Sequence, residues 1–139
     1  MAREQIGMTA AEVDVFFASQ RWVVLATLDA DGSPWADLAA CGLEQGELHF
    51  LVCRGTRSHH NIERDARVCA SIDVYPSYYA IRGATAHGAA RRVDDGSLRA
   101  RIARPGVPVA DDSGERSDLY ALSLDDVFSF DFAKIRNQY

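Results

Sequence analysis

At 139 residues and 47% apolar, the chain is long enough for one domain, residues 1–139, around a single core. A formal net charge of -5 excludes the broad positive field that general nucleic-acid binding requires. No run approaches the roughly 18 apolar residues of a membrane span, and the opening MAREQIGMTAAE lacks the apolar core of a signal peptide. Cys41, Cys53 and Cys69 lie in apolar runs with no C-x-x-C pair, which reads as buried reduced thiols and a cytoplasmic setting.

Thr9-Ala-Ala-Glu12 is a capping box, with Met8 and Val13 placed as its hydrophobic staple, and it predicts a helix over 10–19. Val13, Phe16 and Phe17 give that helix one apolar face. WVVLATLD (22–29) reads as a strand turned by DADGSP; a second run at 35–43, a Gln45-Gly46 turn and ELHFLVC (47–53) follow. Asp37 interrupts an apolar strand, which places it outward or beside an arginine, and His49 and His87 read as isolated structural histidines.

The character then changes. RGTRSHHNIERDARV (54–68) concentrates four arginines and two histidines in an acidic chain. Thr56 or Ser58 can cap a short helix ending near Asp65, with Ile62 facing the core. Free N–H groups at a helix start form an anion site, and Arg54 and Arg57 with the Thr56 and Ser58 hydroxyls would complete a phosphate cradle. Arg64 and Arg67 lie late in the segment and read as partners of Glu63 and Asp65. His59 and His60 are adjacent, so one should pack while the other is exposed, and no metal site is expected.

VCASIDVY (68–75) and a long run from Tyr78 to Val93 are further strands. DDGSLRARIA (94–103) predicts a helix with Asp94 as its cap, RPGVPVADDSGERSD (104–118) a surface loop, and LYALSL and VFSFDFAK two closing strands. Many short strands with turns between them indicate a small, mainly β antiparallel barrel with a few short helices. The Asp94-Asp95, Asp111-Asp112 and Asp125-Asp126 pairs read as solvated, and no nucleophile elbow, zinc signature, P-loop or dinucleotide fingerprint is present.

Three blocks in this order, WVVLATLDADGSPWADL, ELHFLVCRGTRSHHNIERDARVCASID and AIRGATAHGAARRVDD, resemble the pyridoxamine 5'-phosphate oxidase-like family of FMN-binding split barrels. The resemblance covers roughly residues 8 to 103, and VFSFDFAK is a weaker match to the family's last strand. It implies a split β-barrel homodimer with two FMN molecules at the subunit interface. Gly55-Thr56-Arg57-Ser58 falls on the family's phosphate-binding Gly-Ser-Arg-Lys element: Arg57 is retained, Thr56 replaces serine, and Ser58 stands where lysine is usual. Arg54 or His59 could compensate for that lost charge. Leu51 and Val52 fall where the preceding strand runs along the flavin, and Trp35 and Ala36 near a further phosphate-binding arginine that this chain lacks. Tyr78 and Tyr79 fall where the partner subunit approaches the ring.

The chain ends at KIRNQY without the tryptophan and arginine of the vitamin B6 enzyme's C-terminal segment, and Arg136 is the lone arginine there, so true pyridoxamine phosphate oxidase activity is not expected. The expected function is an FMN-dependent oxidoreductase moving hydride through flavin N5 to or from a small molecule. Alternatives are an F420-dependent reductase, a flavin-binding module without turnover, and a haem-binding relative suggested by SHHNI. The flavin ring carries the redox chemistry in such proteins, so a missing catalytic motif does not count against them.

Overall fold

The computed structural model describes residues 6–103 and 115–138. It contains helix α1 (Ala10–Ala18), strands β1 (Trp22–Leu28), β2 (Pro34–Glu44) and β3 (Glu47–Cys53), helix α2 (Arg57–Arg64), strands β4 (Arg67–Val74), β5 (Arg82–Ala89) and β6 (Arg91–Val93), helix α3 (Gly96–Ile102), and strands β7 (Ser117–Ser123) and β8 (Val127–Asp131). The eight strands form one antiparallel sheet in the order β6-β7-β3-β2-β1-β4-β5-β8. It curls so that β5 packs against β7, where a Cβ on Gly88 would stand 3.0 Å from Leu122 Cδ1.

The expected split barrel is the observed one, and β2 makes the split. Its first part pairs with β1, from Leu28–Pro34 to Trp22–Ala40, while its last four residues pair with β3, from Cys41–Phe50 to Glu44–Glu47. The two-residue turn Gln45-Gly46 has positive φ at both positions, 52° and 74°, the geometry whose twist matches an antiparallel hairpin.

Local chemistry sets the helices. Thr9 Oγ1 accepts the Glu12 N–H at 3.2 Å, and Glu12 Oε1 accepts the Thr9 N–H at 3.1 Å, so the capping box is complete. Lys134 reaches both Glu12 and the Gly7 carbonyl at 2.8 Å, tying the C-terminal 3-10 helix (Phe132–Gln138) to the start of α1. Val13, Phe16 and Phe17 of α1 join Val23, Leu25, Leu48, Phe50 and Leu122 in the main core. A second apolar cluster lies under α3, where Leu98 and Ile102 cover Ala40, Leu51 and Leu119. Strand β3 is buried along its middle because both clusters use it.

Four expectations need correction. The run from Tyr78 to Val93 opens as a 3-10 turn, Tyr78–Ala80, and is strand only from Arg82. Asp95, not Asp94, caps α3, accepting the Leu98 N–H at 3.0 Å. The final strand stops at Asp131, whose carboxylate takes the Ala133 N–H, and the Phe-Ala-Lys that follows is 3-10 helix. Of the predicted 104–118 loop, residues 104–114 lie outside those described, and Ser117 and Asp118 already belong to β7.

Helix α2 docks on β1 through a polar contact. Asn61, 3% exposed, donates to Thr27 Oγ1 at 3.0 Å and Asp29 Oδ1 at 2.9 Å, and accepts from Arg64 at 2.8 Å. Arg64 also donates to the Leu28 carbonyl at 2.6 Å, so it grips the sheet rather than Glu63 or Asp65. Arg67 does pair with Asp65, at 2.7 Å. Replacing Asn61 with alanine should cost about 1–3 kcal/mol, because the buried Thr27 hydroxyl loses its donor. Urea denaturation would check this; a loss below about 0.5 kcal/mol would mean that apolar packing alone holds α2.

Candidate functional site

Where the β2–β3 ladder stops at Cys41–Phe50, the two strands separate and a recess opens between them. Its floor is Leu25, Ala39, Ala40, Leu51 and Val52, and its volume is about 140 Å³. Thr56, Ser58 and Asp37 stand at its polar end, with Cys53 and Ser117 beside them. One side is therefore apolar, and the other carries hydroxyls and a carboxylate.

The turn from β3 into α2 builds the polar end. Gly55 has φ +82°, a left-handed conformation that other residues adopt only with strain. It lets the chain reverse so that Thr56 can cap α2: Thr56 Oγ1 accepts the His59 N–H at 3.3 Å and donates to the Cys53 carbonyl at 2.8 Å. Ser58, 3% exposed, donates to Asp37 Oδ2 at 3.3 Å. Asp37 also takes the Leu38 N–H, at 3.1 Å. It thus faces into the recess and binds a hydroxyl, rather than turning outward or meeting an arginine.

Arg57 points the other way along β2. It makes a two-pronged pair with Asp29, at 3.0 and 2.5 Å, and lies 3.9 Å above the Trp35 ring. The Arg57 hydrogen bond, and after it that of Asn61, hold the Asp29 carboxyl down at about 2. The indole N–H of Trp35 is buried without an acceptor among the described residues.

A second charged group lies on the far side of α2. His59 Nδ1 accepts the Gly55 N–H at 3.3 Å, which leaves Nε2 to donate to Asp118 Oδ2 at 2.8 Å. Arg54 donates to Asp118 at 3.2 Å, to the Ser117 carbonyl at 3.2 Å and to the Glu115 carbonyl. Burial pushes the Asp118 carboxyl up, but the His59 and Arg54 hydrogen bonds outweigh it and the net shift is downward. Tyr120 donates to Glu63 at 2.8 Å, and burial, followed by that contact, raises its hydroxyl pKa.

His59, Glu63 and Asp118 bring three ligand atoms within 4.8 Å of one another. A cation there would compete with Arg54 and with Arg92, 3.9 Å from Asp118. Of the histidine pair, His59 packs and His60 is exposed, as the sequence suggested.

Of the sequence-predicted site residues, Leu51, Val52, Thr56 and Ser58 line the recess. Arg54, Arg57, Trp35 and Ala36 do not: the two arginines serve Asp118 and Asp29, and Trp35 lies under Arg57. Tyr78, expected to approach the cofactor of the partner subunit, is 77% exposed in a 3-10 turn and does not line the recess of its own chain. Leu25, Cys53, Ser117 and the inward role of Asp37 were missed. The Asp37 signal was present, since a lone carboxylate in an apolar strand needs a partner, but its direction depended on where α2 lands.

A family model described as pyridoxamine 5'-phosphate oxidase matches residues 9–139. The chain belongs to the pyridoxamine 5'-phosphate oxidase family. The match runs past the blocks that carried the resemblance and includes β7 and β8. Among solved structures, a conserved hypothetical protein of Mycobacterium tuberculosis is 23% identical, covering 98% of this chain and 92% of that one, with a TM-score of 0.80. HutZ, the heme storage protein of Vibrio cholerae, is 19% identical over 88% of this chain and 96% of that one, with a TM-score of 0.67. An F420 reductase is 16% identical over 83% of this chain and 94% of that one, with a TM-score of 0.66. At these identities the three establish a shared fold. No curated protein matches the sequence.

The Arg57–Asp29 pair in this family member gives a direct pH test. Asp29 is depressed in the folded state, so its contribution to stability is complete above its ordinary value of 3.8 and is lost as pH falls toward about 2. In Arg57→Ala the Asp29 midpoint should rise toward 3.8, measured by carboxyl carbon NMR. An unchanged midpoint would mean that Asn61 alone holds the charge.

Proposed function

We propose that this chain binds the ring of a flavin-type cofactor in the recess between β2 and β3 and works as an oxidoreductase on a small molecule. The observation that carries the reading is the split itself. Two strand edges part after Cys41–Phe50 and leave an apolar slot with polar groups at one end, in a member of a flavin-associated family. A flat heterocycle can lie against Leu51 and Val52 and hydrogen-bond through its edge to backbone groups.

The ring end of FMN fits these residues. The phosphate end does not fit them as they stand, because the Thr56 proton is given to Cys53, the Ser58 proton to Asp37, and Arg57 to Asp29. A bound flavin or deazaflavin would supply hydride chemistry; the protein would supply position and shelter from water. F420 is the second reading, since a deazaflavin ring makes the same demands on the slot. Haem is less well supported, because no histidine among the described residues lines the recess.

A homodimer belongs to the proposal. A recess of about 140 Å³ is well below the roughly 300–1,000 Å³ of ordinary ligand pockets. One chain can therefore enclose only part of such a cofactor. Trp22 and Val24 on the outer face of β1, at 39% and 38% exposure, and Tyr75 and Tyr78 leave apolar surface for a second copy to cover. No described helix is long and apolar enough to cross a membrane, and the proposal places the protein in the cytoplasm.

The absorption spectrum of the gently purified protein, with mass spectrometry of whatever heat releases, tests the cofactor. Two flavin bands, or the single band of a deazaflavin, are expected, directly or after titration with riboflavin, FMN and F420. Saturable binding of haem alone would overturn the proposal. Sedimentation should give a dimer at micromolar concentration; a monomer that retains tight flavin binding would refute the shared site.

A further inference from the structure

The electrostatics of the recess run against the usual expectation for a nucleotide pocket. Asp37 is the single charged side chain lining it among the described residues. It projects from β2 opposite Leu25, half-buried, with Leu38 N–H on Oδ1 at 3.1 Å and Ser58 O–H on Oδ2 at 3.3 Å. A carboxylate offers about four lone-pair positions, so each oxygen can accept a further donor. The nearby cations are committed elsewhere: Arg57 to Asp29, 2.5 Å away, and Arg54 to Asp118, 3.2 Å away. If Arg57 left Asp29, its single charge would be shared between Asp37 and any incoming anion.

A phosphate dianion at this end would face a half-buried carboxylate, and like charges repel more strongly there than in water. A hydroxyl or ring N–H would instead donate to Asp37. We infer that Asp37 sets the charge preference of the recess, so that it takes a neutral end group bearing O–H or N–H donors, such as a sugar-alcohol chain, and disfavours a phosphate. The identity of the ring rests on the flavin reading above; the preference at this end rests on Asp37.

The test compares riboflavin with FMN by quenching of flavin fluorescence. The wild-type protein should bind FMN no more than about threefold tighter than riboflavin. Asp37→Asn, which keeps the shape and one oxygen, should strengthen FMN binding by about tenfold and change riboflavin by less than about threefold. A wild-type preference for FMN of about thirtyfold or more, or an FMN-to-riboflavin ratio that Asp37→Asn leaves alone, would overturn the inference.

Inorganic phosphate supplies a reading that does not depend on flavin. The amide resonances of Thr56, Ser58 and His59 should show no saturable shift with phosphate in the wild type, and a saturable one in Asp37→Asn. Saturable shifts in the wild type, or none in the variant, would refute the role of Asp37. Absence of binding by both flavins would count against the cofactor alone.

Discussion

The site depends on one buried amide. Asn61 is almost fully enclosed, and a buried amide without partners is costly, so α2 can settle only where Thr27 and Asp29 receive its two N–H groups. That fixes the helix on β1 in angle and in register. Arg64 one turn later and Arg57 one turn earlier then meet the Leu28 carbonyl and Asp29, and Ser58 falls on Asp37. The Thr56 cap and the left-handed Gly55 follow, because β3 must reverse sharply to deliver the chain to that fixed helix.

The recess is the second consequence. Strand β2 is long enough to serve two neighbours, and it gives its first part to β1 and its last part to β3. Between them the barrel is open. The slot persists because the elements around it are supported from elsewhere: the main core holds Leu25, Ala39 and Val52, and the cluster under α3 holds Ala40 and Leu51. A preformed apolar slot lowers the ordering cost of binding, since the lining residues are already placed. The polar end differs in kind: there a few side chains set charge and hydrogen-bond direction.

Charge distribution separates the basic segment from the recess beside it. Three of the four arginines of the basic stretch are paired with an acid that the fold brings beside them: Asp29 for Arg57, Asp118 for Arg54, Asp65 for Arg67. What remains facing the slot is Asp37. Positive charge in a sequence segment and positive potential at a site are therefore different quantities.

The sequence by itself determined the elements. The Thr9–Glu12 capping box, the Gln45-Gly46 turn, the Thr56 cap and the β-branched, apolar run of β1 each act within a few residues, so their consequences can be read without the fold. The order of the blocks likewise carried the split-barrel architecture and the family. Only the tertiary structure decided which side chains face the slot. Arg57 reads in the sequence as a phosphate ligand and in the fold pairs with Asp29, distant in sequence, at 2.5 Å; Asp37 reads as outward or beside an arginine and in the fold meets Ser58 of α2. Charge pairing across the fold depends on distances between elements, and those are fixed by packing rather than by local pattern.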